Sequence, residues 1–205
     1  GLERDQLMQA GAIDGMLNEI MSAANFNRTT VQVKIVMVAR KAYPDYPLFR
    51  LLSAPGSHID TPGQLAGHAV GIAKNTIIEY VTDRLLAEEN VPAARIVKQS
   101  IPVIPERYQL LMQGRIQAAT LPDPLAKSAI TAGAGLVVDD SAYSKYSLSV
   151  LTFSVRSLMQ RPEDVRRFLK AWDRAVADIN ASPSTYRDLL LQKIRVPENI
   201  QQHSL

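Results

Sequence analysis

Cysteine is missing from all 205 residues. Its absence excludes disulfides, thiolate metal sites and cysteine nucleophiles within the chain, and it leaves the redox compartment open. Histidine is scarce. His58, His68 and His203 are scattered, with no partner at i+3 or i+4, so a metal site has no support and no cofactor is expected. No apolar run approaches the ~18 residues that a membrane helix needs. Charge of one sign is not concentrated either: 23 basic and 20 acidic residues leave a net charge of +3. They are interspersed, without a basic tract or a basic–aromatic stripe, which disfavours nucleic acid as a partner. The motifs G-x-S-x-G, G-x-x-x-x-G-K-[ST] and G-x-G-x-x-G are all lacking, so hydrolase and phosphate-loop chemistry have no support. Asp14, Glu19 and Asp123 could be imagined as paired acids for proton transfer. Paired acids in a cleft serve cation or amine binding equally well.

What is present is ordinary globular composition, 46% apolar and 21% charged. The length suits one large domain or two small lobes sharing a hinge. The organising stretch is Arg107 to Ala126, RYQLLMQGRIQAATLPDPLA. It predicts a short helix, a glycine stop at Gly114, a strand over Ile116–Thr120, and a turn exposing Asp123 between two prolines. Its first half recurs at Arg4 to Met16. Arg4/Arg107, Gln6/Gln109, Leu7/Leu110, Gly11/Gly114 and Ile13/Ile116 hold the same offsets. The earlier copy predicts a helix over Leu2–Ala10 and a strand over Ile13–Leu17, followed by Asn18 and Glu19. Two such copies suggest two similar α/β lobes. Open α/β sheets bind ligands beyond the carboxyl ends of their strands, so two lobes would face one cleft.

Three junctions then become candidate ligand contacts. The first is Asn18 and Glu19; Glu19 reads equally well as an acid in the first turn of a helix, stabilised by the macrodipole. The second is Asn75 and Thr76, between the strand Ala69–Ala73 and a helix from Ile77 to about Glu89. There Thr76-Ile77-Ile78-Glu79 fits a capping box, which is also a sufficient explanation by itself. The third is Pro122 and Asp123. A helix opens at Pro162 and runs through Ile179, with Phe168 and Trp172 expected in the core.

The ordered motifs carry a family resemblance. They are AGAIDGM (Ala10–Met16), TPGQLAGHAVGI (Thr61–Ile72), NTIIEYVTDRLL (Asn75–Leu86), LPDPLA (Leu121–Ala126) and RPEDVRRFLKAWDRA (Arg161–Ala175). Together they resemble the periplasmic substrate-binding proteins of ABC importers, in the NMT1/SsuA-like branch for nitrate, sulfonates and thiamine-pyrimidine precursors. The resemblance implies a two-lobed α/β fold of the type II periplasmic-binding kind with two crossover segments. Lobe 1 would occupy residues 1–66, incomplete for want of the family's first strand and helix. Lobe 2 would occupy 67–147, and 148–205 would hold the return crossover and the rest of lobe 1. It further implies a monomeric receptor with no catalysis, located in the periplasm or another extracytoplasmic space. A lipid anchor through the missing N-terminal part is admissible. The partners would be a small-molecule ligand and a membrane ABC permease. The pyrimidine-synthesising relatives depend on a cysteine-rich motif, which this chain lacks.

Two other readings compete: a ligand-sensing regulatory domain, and a small-molecule lyase or synthase on the same scaffold. As for the ligand, free carboxylates at Glu19 and Asp123 would repel an oxyanion, whereas the helix start at Thr76 would attract one. A heteroaromatic amine or zwitterion is therefore expected over a simple anion.

Overall fold

Two glycines with positive φ set the local pattern in the computed structural model, which describes residues 2–194 together with 198 and 199. Helix α1 (Leu2–Gln9) is stopped by Gly11 at φ +70°, and helix α4 (Ile104–Met112) by Gly114 at φ +67°. Both stops make the same pair of bonds. Gly11 N–H donates to the Met8 carbonyl and Ala12 N–H to that of Leu7; Gly114 N–H donates to Leu111 and Arg115 N–H to Leu110. This is the Schellman geometry, which favours a residue without a Cβ at the left-handed position. A strand follows each stop after the same interval: β1 (Gly15–Glu19) and β6 (Ala118–Pro122). Both strands begin and end two residues later than the sequence pattern suggests. The isoleucines that open the expected strands serve instead as anchors in the turn. Ile116 is buried beneath its sheet, and Ile13 packs on the core of its own unit.

The described chain divides into two units, residues 2–40 with 149–194, and residues 41–148 with 198 and 199. In the first, β1 and β2 (Val33–Arg40) flank β8 (Ser149–Ser154), both antiparallel to it. Helix α2 (Ile20–Phe26) closes a small core of Met8, Met16, Ala23 and Val33. Helices α6 (Val155–Gln160), α7 (Pro162–Ala181) and α8 (Pro183–Ile194) complete the unit. On α7 only Val165 is buried. Phe168 is 45% exposed, contrary to its expected place in the core. It sits edge-on to Phe153 and beside Trp172, and these rings line an apolar groove of about 450 Å³ over Met16, Leu151 and Phe153.

The second unit is a five-stranded sheet in the order β5-β4-β6-β3-β7. Its strands are β3 (Phe49–Ser53), β4 (Ala69–Ile72), β5 (Val97–Ser100), β6 and β7 (Gly135–Asp139). β4 is parallel to β5 and to β6, while β3 runs antiparallel between β6 and β7. Helix α3 (Ile77–Glu88) packs on one face, with Ile78 and Leu86 against Val70 and Ile72. Helices α4 and α5 (Leu125–Thr131) cover the other, with Leu111, Ala126 and Ala129 around Ala119 and Leu121.

The sequence reading groups residues 1–66 in the first lobe. The chain instead crosses between Arg40 and Lys41, and β3 belongs to the second sheet. Pairing decides this: Leu51 opposes Thr120 on one side and Val138 on the other, and its side chain is wholly buried. Local pattern cannot reveal partners so distant in sequence. The second crossing falls between Leu148 and Ser149.

Asp140, buried beside β7, ties down the segment that enters β3. Its Oδ1 accepts the Leu48 N–H at 2.8 Å, and its own N–H donates to the Phe49 carbonyl. Burial raises its carboxyl above the usual range. Its ionisation therefore lowers stability as pH rises through that raised value. Asp140→Ala should cost about 1–3 kcal/mol by stranding the Leu48 amide. Asp140→Asn, which keeps the acceptor without the charge, should stay within about 1 kcal/mol of the parent at neutral pH. Urea unfolding of the three proteins across pH checks this; an Ala variant as stable as the parent would refute the tether.

Candidate functional site

The second sheet has one topological switch point. From β4 the chain passes through α3 to β5 on one side, and from β5 through α4 to β6 on the other. The carboxyl ends of β4 and β6 thus lie side by side with their connections leaving in opposite directions, the arrangement at which open α/β sheets bind ligands. Along the ladder, β4 and β6 pair at Val70/Ala118 and Gly71/Ala119. Asn75 and Thr76 follow β4. Pro122 ends β6, and Asp123 comes next. Four of the six expected contacts therefore share one edge of one sheet.

Each of these is held firmly. Thr76 caps α3: its Oγ1 accepts the Ile78 N–H at 3.1 Å and donates to the Ala73 carbonyl at 2.7 Å. Asn75 takes the left-handed conformation, φ +60°, which asparagine tolerates better than most residues. Glu79 closes a variant of the expected capping box. Its carboxylate reaches past Thr76 and accepts the Asn75 N–H at 2.7 Å. Lys98 on β5 donates to the other Glu79 oxygen at 2.8 Å and to Asp83 at 2.9 Å. The Lys98 hydrogen bond, aided by the Asn75 amide, lowers the Glu79 pKa.

Asp123 is not a free acid. Arg50 on β3 grips it with two parallel bonds, Nε to Oδ1 at 3.0 Å and Nη2 to Oδ2 at 2.7 Å, and both side chains are only 15% exposed. Asp123 Oδ1 also accepts the Lys127 N–H, and the Asp123 N–H donates to Leu48. Such a fork neutralises the carboxylate and fixes its plane. Arg50 is the residue that sequence reasoning misses. A charged residue in the strand FRLLS is the only local hint, and its partner lies 73 residues away.

Asn18 and Glu19 belong to the first unit, where they are the last residues of β1 rather than residues beyond it. Asn18 is 1% exposed, and its Oδ1 accepts a bond from Thr152 Oγ1 at 2.9 Å. Glu19 lies 3.5 Å from Arg4 Nη2 and occupies the N-cap position of α2. Among the described residues no group of three or more acids and histidines is placed to hold a metal ion.

The NMT1/THI5-like family pattern matches residues 14–186. The chain belongs to the NMT1/THI5-like family. A comparison with curated protein sequences gave no match. Among solved structures, this NMT1/THI5-like chain is similar to the periplasmic aliphatic sulphonate binding protein SsuA from Escherichia coli. The TM-score is 0.84 at 17% identity, over 98% of this chain and 64% of that one. It is also similar to the alkanesulfonate-binding protein SsuA from Xanthomonas axonopodis pv. citri bound to MOPS. Here the TM-score is 0.81 at 14% identity, over 100% of this chain and 69% of the other. The desulfurization enzyme DSZB shares the fold as well, with a TM-score of 0.67 at 15% identity, over 89% and 67%. The fold is therefore that of the two-lobed periplasmic binding proteins. This chain spans under two thirds of the length of the Escherichia coli protein.

Two measurements test the polar framework. Removing either partner of the Arg50–Asp123 pair should cost about 1–3 kcal/mol. A double-mutant cycle with Arg50→Met and Asp123→Asn should give a coupling of about 1 kcal/mol or more; zero coupling would show that the fork does not form. Because the Glu79 pKa is lowered, its pairing stabilises the fold at neutral pH, and that stability is lost as pH falls through the folded-state value. Lys98→Met should flatten this acid limb of the stability profile.

Proposed function

We propose that this chain is the ligand-binding portion of a solute receptor for an ABC-type importer. The observation that carries the proposal is the switch point between β4 and β6, whose strand ends lead into Asn75, Thr76, Pro122 and Asp123. Family membership and the likeness to periplasmic sulfonate-binding proteins support it. In this reading the partners are a small polar organic ligand and a membrane permease, and the receptor works as a monomer in the periplasm or another extracytoplasmic space. Among the described residues no helix is long and apolar enough to cross a membrane. The chain binds and does not catalyse. Asn18 and Glu19 are the contacts proposed for the other unit.

The charge balance changes the expected ligand. The preference for an amine over an oxyanion depends on free acids at Glu19 and Asp123. Arg50 neutralises Asp123, whereas Arg4 is shared between Asp5 and Glu19 and Lys98 between Glu79 and Asp83. At Asp123 the reason to exclude a sulfonate is gone, and a neutral or singly anionic polar molecule joins the zwitterion as an expected ligand.

Thermal shift against alkanesulfonates, MOPS, nitrate and aminopyrimidines, with native mass spectrometry of the purified protein, tests the proposal. One class should raise the Tm by several degrees as a 1:1 complex. Thr76→Ala and Asp123→Ala should each weaken binding about 10-fold, the loss of one buried polar contact. Unchanged affinity in both variants would move the site elsewhere. Turnover of a bound compound would favour a lyase or synthase.

A further inference from the structure

The internal repeat carries a device that its sequence does not announce. Arg4 and Arg107 stand 103 residues apart, at the same offset before their Schellman glycines. Each reaches forward 13 residues to a backbone carbonyl in the strand that follows. Arg4 Nη1 donates to the Leu17 carbonyl at 2.9 Å, and Arg107 Nε donates to the Thr120 carbonyl at 2.9 Å. Leu17 and Thr120 are themselves equivalent positions in the repeat.

In both units the strand so held ends in the candidate contacts. Leu17 immediately precedes Asn18, and Thr120 stands two residues before Pro122. In the second unit the bond falls where it is needed. Ladder pairing between β4 and β6 stops at Gly71/Ala119, and the next residue of β6 is Thr120. Arg107 Nη1 also donates to the Ile101 carbonyl at 2.6 Å, and the Ile101 N–H donates to Ile72 at the end of β4. One guanidinium thereby ties the ends of β5 and β6, and the Ile101 amide links them to the end of β4. In the first unit Arg4 adds a contact to the Glu19 carboxylate at 3.5 Å.

We infer that Arg4 and Arg107 are equivalent positioning residues, one in each unit, which fix the strand ends that present Asn18 and Glu19 and Pro122 and Asp123. Neither is assigned a ligand contact. The inference rests on the reading of these strand ends as the binding site only for its functional meaning; the tethers themselves need no ligand to be tested.

Residue-resolved amide hydrogen exchange of the whole chain provides the test, with Arg4→Met, Arg107→Met and Arg107→Lys. A lysine ammonium has no rigid fork to span two carbonyls, so the Lys variant should retain the fold yet still loosen the strand end. Arg4→Met should speed exchange at Asn18 and Glu19 at least 10-fold and leave Leu121 and Asp123 unchanged. Arg107→Lys should do the converse. Leu86→Ala, a core truncation on α3, controls for general destabilisation and should speed exchange across the second unit without singling out Leu121 and Asp123. If the arginine variants show the same even spread, or no change at the strand ends, the inference fails. Affinity for whichever compound raises the Tm is measured in parallel. Loosened strand ends with unchanged affinity would uphold the tethers and refute the placement of the binding site.

Discussion

A single buried guanidinium sets the geometry of the second unit. Arg107 is fully enclosed, and burial pushes its pKa down to about 10, so it stays charged at neutral pH. Burying a cation is unfavourable unless its donors are used. Here two carbonyls at the strand ends take Nε and Nη1, while Nη2 is enclosed with no hydrogen-bond partner among the described residues. Those carbonyls lie where a parallel sheet stops pairing, so without the arginine they would be stranded in turn. The arrangement also constrains β4. A Cβ on Gly71 would stand 3.3 Å from Arg107 Cγ and 2.7 Å from Ile116 Cδ1, so the strand needs glycine where the side chain passes beneath it.

The polar groups at these strand ends follow a second rule, that each acid has a cation in reach. Asp123 has Arg50, and Glu79 has an amide and Lys98, which it shares with Asp83. The lowered Glu79 pKa is the thermodynamic mark of that matching. In the proposed receptor, specificity would come from which donors and acceptors these strand ends leave unused.

Much of this was legible in the residues. Gly11 and Gly114 mark helix stops because few other residues adopt the required backbone, and the repeated Arg–Gly–Ile spacing signals one unit used twice. Thr76 and Glu79 announce a helix start through their own chemistry. What stayed hidden depends on pairing over distance. β3 reads as a first-lobe strand until its two neighbours are known. Asp123 reads as a free acid until Arg50 is found across the ladder. The strand shift of two residues arises because Ile116 is buried and Ile13 half-buried in the turn, and burial in a turn and burial in a strand give the same apolar letter. Phe168 fits a core pattern, yet α7 leaves most of its apolar stripe uncovered.

The three-stranded sheet of the first unit has two outer strands, and they are not alike. β2 is interrupted by irregular register at Ile35/Met37 and again at Val38/Arg40, which kinks its rim. β1 pairs with β8 in unbroken register from Gly15 to Glu19 and exposes Leu17. A regular rim with an apolar side chain is a template for another strand, whereas a bulged rim resists one. β1 carries its own guard: the Arg4 guanidinium sits on the Leu17 carbonyl and puts a charge at this rim, and charge on an edge strand is one of the devices that oppose pairing with another chain.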